Sequence, residues 1–357
     1  MTVTHIVGAR PNFMKAAPVM QALSRAGVQQ SLIHTGQHYD EAMSGRLFAQ
    51  LGMPTPDVNL NVGSGTHAQQ TSAVMTGVEA RLLEQRPRLL VVYGDVNSTM
   101  AAALVAAKLQ IPIAHVEAGL RSFDRTMPEE VNRVVTDRLS TLLFTPSADG
   151  DENLLREGMP ADSIHRVGNV MIDSLVKCLP LASADSVLAQ TGLASGDPYV
   201  LVTLHRPSSV DDGELLEGLL DTLQSLASRV PVVFPAHPRT RSRIGQRAVP
   251  GIHLIDPVGY LEFLALQRDA RLVITDSGGV QEETTFLGVP CLTVRDNTER
   301  PVTISHGTNT LIGRDPKLLL ETANARFDAP KAKGSIPDLW DGYTSDRIAV
   351  VISGWLN

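Results

Sequence analysis

Short, continuous apolar runs alternate along the chain with longer stretches whose apolar positions recur every three or four residues. In the first half THIVG, QSLIHTG, RLLVVYGD, IPIAHV and TLLFTPS read as strands, with helical stretches between them near Met14–Ala26 and at NSTMAAALVAAKL. The pattern restarts with YVLVTLH, VPVVFPA, GIHLID, RLVITDS and VPCLTV. Between the first two of these, Leu216, Leu219, Leu220 and Leu223 form an apolar stripe at helical spacing, suited to facing a sheet. Strand and helix in regular alternation predict parallel sheets covered by helices on both faces. A chain of 357 residues exceeds the usual size of one core, so two such domains are expected, with the crossover between Gly168 and Leu193. The final stretch, SDRIAVVISGWLN, is an amphipathic helix in search of a docking surface. The predicted class is α/β, with two doubly wound domains.

Parallel sheets bind ligands outside the carboxyl ends of their strands, so the residues that follow each strand carry the chemistry. Those residues are Gly8–Asn12 with Lys15 beyond, Asp95 with Asn97–Thr99, Glu117, His205 with Arg206, His237, and Asp276–Gly279. Nearly every strand ends in a group able to bind phosphate or move a proton. In VITDSGGVQEET, Gly278 and Gly279 leave the free amides of a helix start open to a diphosphate, although an ordinary glycine turn has the same spelling. Glu282 and Glu283 follow one turn in, where a carboxylate can accept ribose hydroxyls. Arg10 and Lys15 are cations fit to neutralise a departing diphosphate.

The stretch HVEAGLRSFDRTMPEEVNR places Glu117 at a strand end and Glu129 and Glu130 just after Pro128. The ordinary reading is that Glu129 and Glu130 complement a helix start, while Glu117 pairs with Arg121 or Arg133. The other is that carboxylates a loop apart handle protons in one site.

Composition narrows the field. With 31 Lys and Arg against 38 acidic residues and no basic block, a nucleic-acid partner is not expected. Cys178 and Cys291 are too few for a disulfide framework or a CxxC zinc site. The start MTVTHIVGARP is unlike a signal peptide, and MAAALVAAKL is too short to span a bilayer, so a cytoplasmic protein without membrane partners is expected. Gly63-Ser-Gly65-x-x-Ala68 has dinucleotide-fingerprint spacing but lies far from the first strand, and reads as a loop entering a helix. His115-x-Glu117 lacks the Pro-Cys-x-x-Cys partner of zinc deaminases, and no HExxH spacing is present, so no metal is called for.

GDVNSTMAAALVA, HVEAGLR, MPEEVNR, LHRPSSVD, DSGGVQEET and RDNTERPVT occur in this order, and with them essentially the whole chain resembles the non-hydrolysing UDP-N-acetylglucosamine 2-epimerases. The resemblance implies two Rossmann-like domains facing a central cleft, as in GT-B glycosyltransferases. Residues 1–168, completed by a returning C-terminal helix at 345–357, would form the first domain, and 169–344 the UDP-binding second. It further implies a homodimer that interconverts UDP-GlcNAc and UDP-ManNAc for surface polysaccharide, with no cofactor. By motif, the family's acid/base positions fall on Asp95, Glu117, Glu129 and His205. Its UDP contacts fall on Arg10, Lys15, Ser277, Gly278, Gly279, Glu283 and Arg300. Two segments depart from many bacterial members: His205-Arg206-Pro207-Ser208-Ser209 replaces HRREN, and Gly36-Gln37-His38-Tyr39-Asp40 replaces AQHREM. Both changes bear on activation by substrate rather than on His205 itself. The implied path is loss of UDP with the C2 proton, giving a 2-acetamidoglucal, and re-addition from the other face. The rivals are a hydrolysing 2-epimerase that releases ManNAc and UDP, a GT-B glycosyltransferase, and a catalytically silent nucleotide-sugar sensor.

Overall fold

A computed structural model describes residues 2–36, 48–245, 247, 249–329 and 334–357. The chain forms two compact units, Met1–Lys177 with Asp338–Asn357, and Cys178–Pro337. The departure at Gln37–Asp40 lies outside the described residues.

The first unit holds a seven-stranded sheet made of β1 (Val3–Val7), β2 (Gln30–His34), β3 (Val58–Asn59), β4 (Leu89–Tyr93), β5 (Ile113–Val116), β6 (Leu142–Thr145) and β7 (Ile164–Arg166). All neighbours pair in parallel, in the order β3-β2-β1-β4-β5-β6-β7. Every residue of β1, β4, β5 and β6 is buried, as strands covered on both faces require. The order reverses between β1 and β4, which makes the carboxyl ends of those strands the topological switch point where ligands bind in open sheets.

The second unit repeats the plan with β8 (Val200–Thr203), β9 (Val232–Pro235), β10 (Ile252–Ile255), β11 (Leu272–Thr275), β12 (Cys291–Thr293) and β13 (Asn309–Leu311). Its parallel order is β10-β9-β8-β11-β12-β13, with the reversal between β8 and β11. Leu216, Leu219, Leu220 and Leu223 of the helix Gly213–Ala227 are all buried in its core with Val202, Phe234 and Ile274. Truncating one such leucine to alanine costs about 2–5 kcal/mol in a packed core.

Local chemistry sets the element edges. The first helix runs Arg10–Arg25, starting earlier than the apolar spacing suggests, because Pro11 sits in the first turn, where a missing N–H is harmless. Pro18 inside it cannot donate to the Met14 carbonyl, and the Ser174 hydroxyl does so instead. Gly63 lies in a loop, and Thr66 and Gln69 cap the following helix reciprocally, with Gln69 N–H donating to Thr66 at 3.3 Å and Thr66 N–H to Gln69 at 3.0 Å.

Similar contacts draw the unit boundary. The helix Val170–Cys178 carries Asp173, whose carboxylate accepts the Thr344 and Ser345 amides at 3.1 and 2.6 Å and so caps the final helix, Thr344–Leu356. Trp340, also buried, donates to the Pro146 carbonyl at 3.0 Å. Residues 169–177 and 338–344 therefore pack with the first unit, placing its edges at 177 and 338 where the sequence suggests 168 and 345. No helix among the described residues is long and apolar enough to cross a membrane.

Candidate active site

In the first unit the reacting-type groups gather at the ends of β1, β4 and β5. Glu117, the residue after β5, has φ +77°, a left-handed backbone that costs a non-glycine residue about 1–3 kcal/mol. Its amide and that of Ala118 both point at the Phe144 carbonyl, at 3.1 and 2.9 Å, which holds the turn in that conformation. The Glu117 side chain is buried and ion-paired with Lys15, itself buried, from the helix Arg10–Arg25. Gly94, with φ +61°, makes room for this pair, since a Cβ there would lie 2.7 Å from Lys15 Nζ. Lys15 is thus an ion-pair partner of Glu117. Arg121 reaches Asp137 and Glu157, each at 2.7 Å, while Arg133 holds Asp95 at 2.8 Å and also Glu130.

Glu130 lies in the first turn of the helix Pro128–Leu139, as the sequence suggests, but does more than complement the helix start. It is buried, and accepts the amides of Ser122 and Phe123 at 2.9 and 2.8 Å and the Ser122 hydroxyl at 3.1 Å. It anchors the loop that follows Glu117. Its neighbour Glu129 is half-buried in the first turn of the helix Pro128–Leu139. Asp95 is partly exposed and receives Arg133 through Nε at 3.0 Å, while Asn132 donates to its carbonyl at 2.8 Å. Arg10 is exposed at the start of its helix.

Two residues take supporting roles that the sequence alone does not assign to them. Asn12 accepts the Gly8 and Ala9 amides at 3.0 and 3.1 Å and donates to the Tyr93 carbonyl at 2.8 Å, tying the ends of β1 and β4 together. Fully buried His115 contacts Asp137 through Nδ1 at 2.6 Å and the Gly94 carbonyl through Nε2 at 2.8 Å. Burial pushes the Asp137 carboxyl up, but His115 and Arg121 outweigh it and hold the group below the ordinary carboxylate range. Among the described residues, no group of three or more His, Cys, Asp or Glu side chains is placed to hold a metal ion.

In the second unit the ends of β8 and β11 bring His205 beside Asp276, with Nδ1 3.0 Å from Oδ1. Ser277 precedes the helix Gly278–Leu287, and a Cβ on Gly278 would lie 2.5 Å from an Arg300 guanidinium nitrogen. Arg300 is held by Glu282, at 2.8 Å from Nε, and by Glu299. Arg295 meets Glu299 at 2.7 Å, and Arg206 lies 3.9 Å from it. Three guanidinium groups thus share two carboxylates, leaving a net positive cluster near the glycine turn, suited to an anion. Arg206, Arg295 and Glu299 were legible as residues of the quoted motifs, but their convergence was not. Glu283 is buried, with Oε1 accepting from the Tyr260 hydroxyl at 2.9 Å and Oε2 from Gln267 at 2.6 Å. Burial raises its carboxyl above the usual range, against the pull of these two donors. Each oxygen keeps a second lone pair for a ligand hydroxyl.

A family profile described as UDP-N-acetylglucosamine 2-epimerase matches residues 21–353. The UDP-N-acetylglucosamine 2-epimerase of Methanocaldococcus jannaschii is 40% identical, over 99% of this chain and 99% of its own. A Pseudomonas aeruginosa protein, UDP-2,3-diacetamido-2,3-dideoxy-D-glucuronate 2-epimerase, is 44% identical over 90% of this chain and 91% of its own. The crystal structure of the M. jannaschii enzyme in complex with UDP-GlcNAc and UDP superposes with a TM-score of 0.91, at 40% identity, covering 99% of this chain and 100% of that one. The chain belongs to the UDP-N-acetylglucosamine 2-epimerase family.

Proposed function

We propose that this protein interconverts UDP-N-acetylglucosamine and UDP-N-acetylmannosamine without hydrolysis, by eliminating UDP and adding it back. The observation that carries this reading is end-to-end similarity to the M. jannaschii enzyme, whose crystals hold UDP-GlcNAc and UDP. The C2 hydrogen of such a sugar is not beside a carbonyl, so its removal alone would leave an unstabilised carbanion. Elimination avoids this. A base takes the C2 proton, the C–H electrons form a C1–C2 double bond, and the C1–O pair leaves with the β-phosphate oxygen of UDP. The resulting 2-acetamidoglucal then takes UDP back at C1 and a proton at C2 on the opposite face.

Inversion requires proton-handling groups on both faces of the ring. Asp95, Glu117 and Glu129 fill that role in this reading, with His205 completing the set. The departing diphosphate requires cations and helix-start amides. Arg10, Arg300 and the Ser277–Gly279 turn supply them, with Glu283 taking the ribose hydroxyls. Lys15 acts there through its charge, shared with Glu117.

A second reading shares the C2 chemistry and changes the sugar. The 44% identity to the P. aeruginosa enzyme favours a UDP-sugar with a second acetamido group at C3 and a carboxylate at C6. Incubating the pure protein with each UDP-sugar alone, and identifying products by NMR, tests both. UDP-ManNAc from UDP-GlcNAc supports the first reading, and turnover of only the diacetamido-glucuronate supports the second. Free ManNAc with UDP would instead mean a hydrolysing enzyme. No turnover of either sugar without an acceptor would mean a glycosyltransferase or a sensor.

A further inference from the structure

Asp276 has no assigned role, yet its surroundings are built around His205. It directly follows β11, the neighbour of β8, at the strand-order reversal of the second sheet. Its side chain is wholly buried. Oδ2 accepts the His205 and Arg206 amides at 2.9 and 2.8 Å, and Oδ1 lies 3.0 Å from His205 Nδ1. Burial pushes this carboxyl up, but His205 and the two backbone amides outweigh that and keep it below the ordinary range. An ionised carboxylate only accepts hydrogen bonds, so the nitrogen that faces it must carry the proton. Neutral His205 is then the Nδ1–H tautomer, with its lone pair on Nε2. The side chain is 41% exposed, and the ring of His237 lies 6.2 Å away between centroids.

We propose that Asp276 is the positioning residue that fixes His205 as the Nδ1–H tautomer and orients Nε2 as the atom that exchanges a proton with substrate. This rests on the reading that His205 belongs to the acid/base set. Three consequences separate the two ideas. The wild-type protein without substrate should show, by 15N NMR at mildly basic pH, a bare Nε2 and a protonated Nδ1 for His205, assigned by comparison with His205→Gln. In Asp276→Asn the amide oxygen stays with the two backbone donors, which turns the NH2 group toward Nδ1. That should move the proton to Nε2 and lower kcat by a hundredfold or more, the scale expected when a general base is lost or held in the wrong tautomer.

A wild-type His205 protonated on Nε2 overturns the proposal without any variant, so it stays testable even if Asp276→Asn fails to fold. An unchanged tautomer in folded Asp276→Asn overturns it as well. If the tautomer switches but both Asp276→Asn and His205→Gln turn over at near wild-type rates, the assignment of His205 to proton transfer falls instead, and the catalytic half of the proposal with it.

Discussion

Lys15 and Glu117 form an ion pair inside the first unit, with side chains only 5% and 4% exposed. The pair joins the helix after β1 to the turn after β5, and Gly94 after β4 has given up its side chain to admit it. Three strand ends are thereby fixed around one carboxylate. Glu117 sits in a left-handed backbone and against a buried ammonium at some cost to stability, which supports the proton-handling role proposed for it.

Breaking a buried pair from one side leaves an uncompensated charge, at about 3–5 kcal/mol. Lys15→Met should therefore lower unfolding stability by roughly that amount. Adding Glu117→Gln should recover a large part of the loss, with a coupling of about 1 kcal/mol or more. Urea unfolding of the two single variants and the double variant measures this. Additive losses would show that the two side chains do not depend on each other.

The adjacent glutamates should separate cleanly. Glu129→Gln is expected to cut turnover by about a hundredfold or more, with stability changed by less than about 0.5 kcal/mol. Glu130→Gln removes charge from three hydrogen bonds and the Arg133 pair, so it should cost roughly 1–3 kcal/mol in stability. Thermal unfolding together with turnover distinguishes them. Equal stability losses would contradict the division of labour.

How far the sequence reaches follows from which facts are local. The strands, the leucine stripe at Leu216–Leu223 and the groups at strand ends are legible, because buried parallel strands and their ligand-bearing ends leave a local pattern. The partner of Lys15 is not, since it depends on the backbone of Gly94 and on a turn about a hundred residues away. Asp276 is 71 residues from His205, and only the strand-order reversal makes them neighbours. Glu130 misleads because an acidic residue after Pro128 has the same spelling whether it faces solvent or ties down a loop.

Acid should destabilise the first unit through His5. This ring is fully buried, with Nε2 2.9 Å from Gln30 Oε1 and Nδ1 2.7 Å from the Tyr93 hydroxyl, and burial lowers its pKa from 6.5 to about 4 despite the Gln30 contact. Between these values the unfolded chain binds a proton that the folded chain does not, so stability falls as pH drops through the window. The loss totals roughly 3 kcal/mol, is absent above about pH 6.5 and levels off below about pH 4. His5→Asn should start less stable but show a shallower slope between those limits, read from denaturant unfolding at a series of pH values. Parallel slopes would contradict it.

The most direct test of the elimination account is epimerisation in D2O followed by mass and NMR analysis of the UDP-sugar product. If the C2 proton leaves to a side chain and another returns to the opposite face, the inverted product must carry deuterium at C2. The account predicts close to one deuteron at C2 for each inverted molecule. Inverted product that keeps its original hydrogen would contradict it.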